Sequence, residues 1–203
     1  MRIAFGAKAH SGWAALVCLG DGGDGLVVID RRRIELAEGD HGNQPFHAAQ
    51  PLAPAAARAL VARSVHAAER LAVHALRAAV KRAQDQGHVV GASAVLVGAS
   101  MPDWSVEEIL AVHFRMHKAE GVLYRDALIR ATRACGLRLV AVPEKALTQH
   151  AEAALGMTSG AIAKQTAALG KCVGPPWGKD QKEAALAALV ALRARPPDGR
   201  SAR

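Results

Sequence analysis

Three short apolar runs crowd the first 37 residues: Ile3–Ala7, Gly12–Leu19 and Leu26–Asp30, with Arg33–Ala37 extending the third or opening a partner. The polar AKAHS segment separates the first two, and the turn-forming cluster GDGGDG at 20–25 separates the next two. A parallel crossover takes a dozen or more residues. Connections this short make the three strands an antiparallel meander, with glycines supplying positive φ in the turns.

The pattern then changes period. Residues 39–54 read as a polar, Pro-containing loop. Leu60, Ser64, Ala67, Leu71, His74 and Ala78 recur at helical spacing, which predicts a helix over 55–86 stopped by Gly87. SAVLVG at 93–98 is too short for a helix and is flanked by turn signals, so it reads as a strand. Ser105 and Glu108 form the sequence of a capping box and start a helix running to about Ala134, with Gly136 as its stop. LRLVAV at 137–142 is the last strand. Helices over 144–155, 159–169 and 179–194 follow, the last after the rigid GPPWG turn. The order is β-β-β-α-β-α-β-α plus terminal helices. It predicts an α/β fold with one mixed five-stranded sheet, helices on both faces and a helical C-terminal extension. A single domain is expected over 1–195, with a flexible tail at 196–203.

At 203 residues the chain can bury a core without disulfides. Cys18, Cys135 and Cys172 are dispersed, without a CxxC pair, as in a cytoplasmic protein. No apolar run approaches the roughly 18 residues of a membrane span, and Met1–Phe5 enters directly into strand sequence without a signal-peptide layout. The net charge of +8 permits attraction to phosphate backbones, but an Ala- and Arg-rich chain can also drift basic, and Arg31–Arg33 is the one tight basic block.

The element order resembles that of the ribonuclease H-like fold, and the second half resembles its Holliday-junction resolvase branch, the RuvC-like proteins. The segments that carry the likeness are HKAEGVLYRDAL at 117–128, CGLRLVAVP at 135–143, LGKCVG at 169–174 and GKDQKEAALAAL at 178–189. The resemblance implies acids at three places: an Asp on the first strand, a Glu at the end of the fourth, and a D-x-x-D or D-x-x-H pair on the last helix. Such clusters hold two Mg²⁺ ions that activate water and stabilise the leaving oxygen. This chain has Gly6, Ala7 and Lys8 on the first strand and Val97, Gly98 and Ala99 on the fourth. Only the last helix keeps an acidic pair, Asp180 and Glu183. The resemblance makes these two the metal and catalytic candidates and Mg²⁺ the implied cofactor. The residues themselves name no cofactor, and the missing acids speak against a standard two-metal nuclease.

Other candidates stand beside plainer readings. Lys8, His10 and Ser11 can hold a phosphate at a strand end, or form a solvated hairpin loop. Glu120 falls inside the apolar arc of its helix, so it must be paired, neutralised or catalytic. His113 and His117 at i, i+4 can share a metal with it, or form a helix-edge hydrogen-bond network. Asp180 and Glu183 can equally be first-turn acids favoured by the helix dipole. Arg31 and Arg33 are phosphate-contact candidates or a solvated strand end. Trp177 is a packing anchor or a base-stacking surface. Glu35 reads as an outward strand residue.

Three functions fit. One is a degenerate nuclease-fold protein binding nucleic acid or a phosphorylated partner without standard cleavage. The second is an enzyme with an altered phosphoryl-transfer or hydrolase site at the strand-one/strand-four edge, where Lys8–Ser11, Gly98–Ser100 and the helix start at Asp180 are expected to meet. The third is an interaction module using the Ala-rich helices, which a stable two-fold interface in a homo-oligomer would favour. If the fold holds, Lys8 and Asp180 should lie about 4–7 Å apart, and Glu120 should be buried against a cation, a His or a water.

Overall fold

The computed structural model describes residues 1–23, 25–39 and 42–194. Strands β1 (Arg2–His10), β2 (Trp13–Asp21) and β3 (Leu26–Glu35) form the expected meander. The 26–35 run is one strand, so Arg33–Glu35 extend it. Helices α1 (Pro45–Ala49) and α2 (Pro54–Asp85) lead to β4 (Val89–Val97), which pairs parallel with β1. Helices α3 (Val106–Leu110) and α4 (His113–Ala134) lead to β5 (Arg138–Pro143), parallel to β4. A 3₁₀ turn at Glu144–Ala146 and helices α5 (Leu147–Leu155), α6 (Ser159–Val173) and α7 (Lys179–Arg193) complete the described elements. The sheet order is β3-β2-β1-β4-β5, a mixed five-stranded α/β arrangement with helices on both faces. The tail expected at 196–203 lies outside the described residues. None of the described helices is long and apolar enough to cross a membrane.

Strand alternation divides β1 between two cores. Ile3, Phe5 and Ala7 face the layer of α2 and α4, with Leu76 and Leu123. Ala4, and by the same alternation Gly6, Lys8 and His10, face the layer of α5, α6 and α7. On that side α7 lies directly on the sheet through Ala184, Ala187, Ala188 and Ala191. Gly6 makes this approach feasible. A Cβ there would stand 2.0 Å from the Ala184 carbonyl oxygen and 2.5 Å from the Ala188 nitrogen. The first turn of α7, bearing Asp180 and Glu183, is thereby held beside the end of β1.

Two departures matter for function. Residues 45–49 form a short helix inside the expected loop, begun by Pro45 at a position where its missing N–H costs nothing. The single helix expected from Ser105 is broken. Its capping box is present, but Val112 is extended (φ −136°, ψ 114°) and α4 starts afresh at His113. The corner is held by Arg115, which donates to the Glu108 carbonyl at 2.9 Å and stacks on Trp104.

Candidate functional site

Lys8 is 5% exposed, a rare state for a lysine unless it is paired. Its ammonium donates to Glu183 and lies 3.3 Å from both Asp180 Oδ1 and Glu144 Oε1. The Lys8–Asp180 contact is therefore direct, closer than the 4–7 Å expectation. The three carboxylates are partly open to water, with side chains 28%, 24% and 40% exposed for Asp180, Glu183 and Glu144. His10 Nε2 stands 3.0 Å from Asp180 Oδ1. Its ring stacks on Trp13 at 4.3 Å, and Arg33 covers Trp13 at 4.2 Å.

The electrostatics follow from this packing. Burial alone would lower the Lys8 pKa, but Glu183, Asp180 and Glu144 outweigh it and hold the ammonium above its ordinary value. Burial would raise the Asp180 carboxyl, but His10 and Lys8 hold it below the usual range. Glu144 joins the cluster from the turn after β5, a position that the sequence reading did not weigh. Its signal was an acid directly following the Pro143 strand end.

The other expected residues are placed as follows. Ser11 is exposed in the β1–β2 turn, without a side-chain hydrogen bond among the described residues. Arg31 is taken up structurally, donating to the carbonyls of Val173, Gly174, Pro175 and Pro176 and pinning the turn before α7. Arg33 pairs with Glu35 at 2.6 Å, and Glu35 points outward as expected. Trp177 packs on Gly170 and donates to the Thr166 carbonyl at 3.0 Å. The β4 end does not join the Lys8 cluster. Gly98, Ala99 and Ser100 line a separate cleft of about 380 Å³ with Arg125 and Asp126. A Cβ at Gly98 would meet Arg125 Nη1 at 1.9 Å, so a guanidinium passes close to that strand end.

Glu120 is 1% exposed and accepts from His47 Nδ1 at 2.8 Å. It lies against α1, in a group with His47, His113 and His117, and is not part of the Lys8 cluster. His47 lies in the segment whose sequence reads as loop, and nothing in its spacing singles it out.

Magnesium fits the Lys8 cluster poorly. Two unit charges 4 Å apart repel by about 4 kcal/mol at an effective dielectric of 20. A divalent ion on Asp180 and Glu183 would face about twice that from the Lys8 ammonium. The acids expected to hold metal hold Lys8.

No known family profile and no curated protein matches this sequence. Among solved structures, the chain is similar to Thermus thermophilus RuvC in complex with Holliday junction substrate. The match has 11% identity and a TM-score of 0.52, and covers 93% of this chain and 91% of that one. A second Thermus thermophilus RuvC structure gives 11% identity and a TM-score of 0.49, over 93% and 92% of the two chains. By the first of these matches the fold is RuvC-like, of the ribonuclease H-like kind.

Proposed function

We propose that this chain is a single ribonuclease H-like domain over residues 1–195 that binds nucleic acid and does not cleave it by two-metal chemistry. The observation that carries this reading is Lys8. An ammonium occupies the centre of the acidic cluster, so the protein's own cation stands where the carboxylates would hold a metal. Asp180 and Glu183 act as structural partners of Lys8, not as metal ligands or catalytic acids. Lys8 is not a phosphate anchor either, because three acids already surround it.

The phosphate-binding surface then lies elsewhere. A groove of about 440 Å³ between α2 and α4 is lined by His66, Arg70, His74, Arg77 and Arg130, with Glu69 as its one acid. Glu69 pairs with Arg130 at 3.3 Å, and Arg70 pairs with Glu38. Arg77 is exposed and has no ion-pair partner among the described residues. The net charge of +8 acts in the same direction. The RuvC neighbour was solved on a Holliday junction, which supports nucleic acid as the partner class.

The test is a mobility-shift and cleavage series on duplex, single-stranded and four-way-junction DNA, with and without Mg²⁺ or Mn²⁺. Binding should weaken steeply with salt, and Arg77→Ala should lower the salt slope by about one. The DNA should stay intact. Metal-dependent cleavage that is lost in Asp180→Asn would overturn the non-cleaving reading. Absence of any shift at low salt, with a phosphorylated protein bound instead, would overturn the nucleic-acid reading.

A further inference from the structure

We infer that His47, His113 and His117 form a binding site for a divalent transition metal of the zinc class, with Glu120 as the buried carboxylate that orients His47. The site is separate from the Lys8 cluster and does not depend on the function proposed above.

Two breaks in the expected secondary structure build it. The extended Val112 ends one helix and places His113 in the first turn of α4, with His117 one turn on and facing the same way. The short helix α1 brings His47 against them. The His47 ring centroid lies 5.0 Å from that of His113 and 4.5 Å from that of His117. One ring nitrogen from each of the three lies within 4.8 Å of the others. Nε2 of His113 and Nε2 of His117 are already 3.0 Å apart. Nitrogens around a tetrahedral zinc ion stand about 3.3 Å apart, given Zn–N bonds of about 2.0 Å. Modest χ rotation of the exposed His113 and His117 rings closes the difference.

Glu120 supplies the independent observation. A fully buried carboxylate needs a reason to be there. Its Oε1 faces the His47 backbone N–H at 3.4 Å as well as His47 Nδ1 at 2.8 Å. An oxygen facing an obligate donor acts as an acceptor, which puts an imidazole proton on Nδ1 and makes Nε2 the nitrogen that a metal would take. His47 Nε2 is buried and has no hydrogen-bond partner among the described residues. A carboxylate holding one imidazole nitrogen so that the other presents a lone pair is the usual support of a metal-bound histidine. Three nitrogens leave a fourth position open, and the exposure of His113 and His117 leaves it within reach of water or an exogenous ligand.

The probe is Co²⁺, titrated into tag-free, chelator-treated protein and followed by visible absorption, with Zn²⁺ as competitor. One equivalent should bind with the strong bands of a low-coordinate site, and Zn²⁺ should displace it. His113→Ala and His117→Ala, both at exposed positions, should raise the dissociation constant at least a hundredfold. Glu120→Gln should raise it about 10–100-fold. Asp180→Asn should leave it unchanged, which separates this site from the acidic cluster. Absence of stoichiometric uptake, or uptake indifferent to both His113→Ala and His117→Ala, would overturn the site. An unchanged affinity in Glu120→Gln would overturn the positioning role of Glu120.

Discussion

Replacing Lys8 by Met tests what the buried ammonium does. Methionine keeps most of the aliphatic stem and its packing against α7, so the change removes the charge with little loss of volume. Three carboxylates are then left facing one another. Removing one partner of a fully buried ion pair costs about 3–5 kcal/mol. Here the acids are 24–40% exposed, so water screens part of the loss, and Asp180 keeps His10 at 3.0 Å. An expected cost of about 2–4 kcal/mol follows. With an m-value of about 2 kcal/mol/M, the middle of the range for urea, the midpoint should fall by about 1–2 M. The same variant exposes a triad of acids that a hard divalent cation can join. Saturating Mg²⁺ should therefore restore stability, by about 2.7 kcal/mol at a hundred times the dissociation constant. Wild-type protein should not respond, because its own cation fills that position. The assay is urea unfolding of both proteins with and without Mg²⁺ at constant ionic strength. If Mg²⁺ stabilises the wild type as much as the variant, metal and ammonium coexist and the reasoning fails. It also fails if Lys8→Met is as stable as wild type.

Gly6→Ala should destabilise the fold by about 3 kcal/mol or more, beyond the ordinary range of overpacking. The new Cβ meets the α7 backbone, which has no side chain to rotate away, and thermal unfolding measures the loss. The Lys8–Asp180 interaction has a defined pH window. The lowered Asp180 pKa contributes stability above the unfolded carboxyl value, lost as pH falls through the folded value. The raised Lys8 pKa contributes below the unfolded lysine value, lost as pH rises through the folded one. A double-mutant cycle on this pair should give a plateau near neutral pH that declines on both sides, and a coupling independent of pH from 2 to 12 would contradict it. Iodoacetamide should label the exposed Cys172 in native protein and spare Cys18, whose thiol burial and Asp30 push up to about 12; mass spectrometry of the alkylated protein decides.

Much of the fold is legible because its period changes are abrupt. The first three strands are bounded by turn residues, and the helix over 54–85 carries an uninterrupted apolar stripe ended by Gly87. The convergence of Lys8 with Asp180 follows from topology, since β1 sits centrally and the last helix crosses it. What stayed hidden depends on tertiary contacts. The strand at 89–97 begins earlier than its apolar run predicts, because Val89 and Val90 pair with β1 on the far side of Gly91. The break at Val112 is invisible to periodicity, since the apolar spacing runs through it. It exists because Arg115 and Trp104 hold the corner. Without that break and the short helix at 45–49, His113 and His117 could only be read with Glu120, and His47 had no reason to enter. Glu144 was missed because acids were sought at the two strand ends and the helix that the resemblance names, and it comes from the turn after the fifth strand.

The charge count of the Lys8 cluster separates two functions that a nuclease of this fold class would join. A two-metal centre brings about four positive charges to its carboxylates and so attracts the phosphate that it cleaves. Here one ammonium meets three carboxylates, with one imidazole beside them. The cluster stays net negative, and a phosphate approaching it gains nothing from Lys8, whose positive field its partners consume. A nucleic acid held by this protein therefore has to be drawn by other cations. Under the proposed function they are those of the α2–α4 groove, on the opposite face of the sheet from α7, on the side where Ile3, Phe5 and Ala7 are buried. Stability near Lys8 and affinity at Arg77 should then vary independently. Substitutions at Asp180 or Glu183 should change unfolding and leave DNA binding alone, while Arg77→Ala should do the reverse.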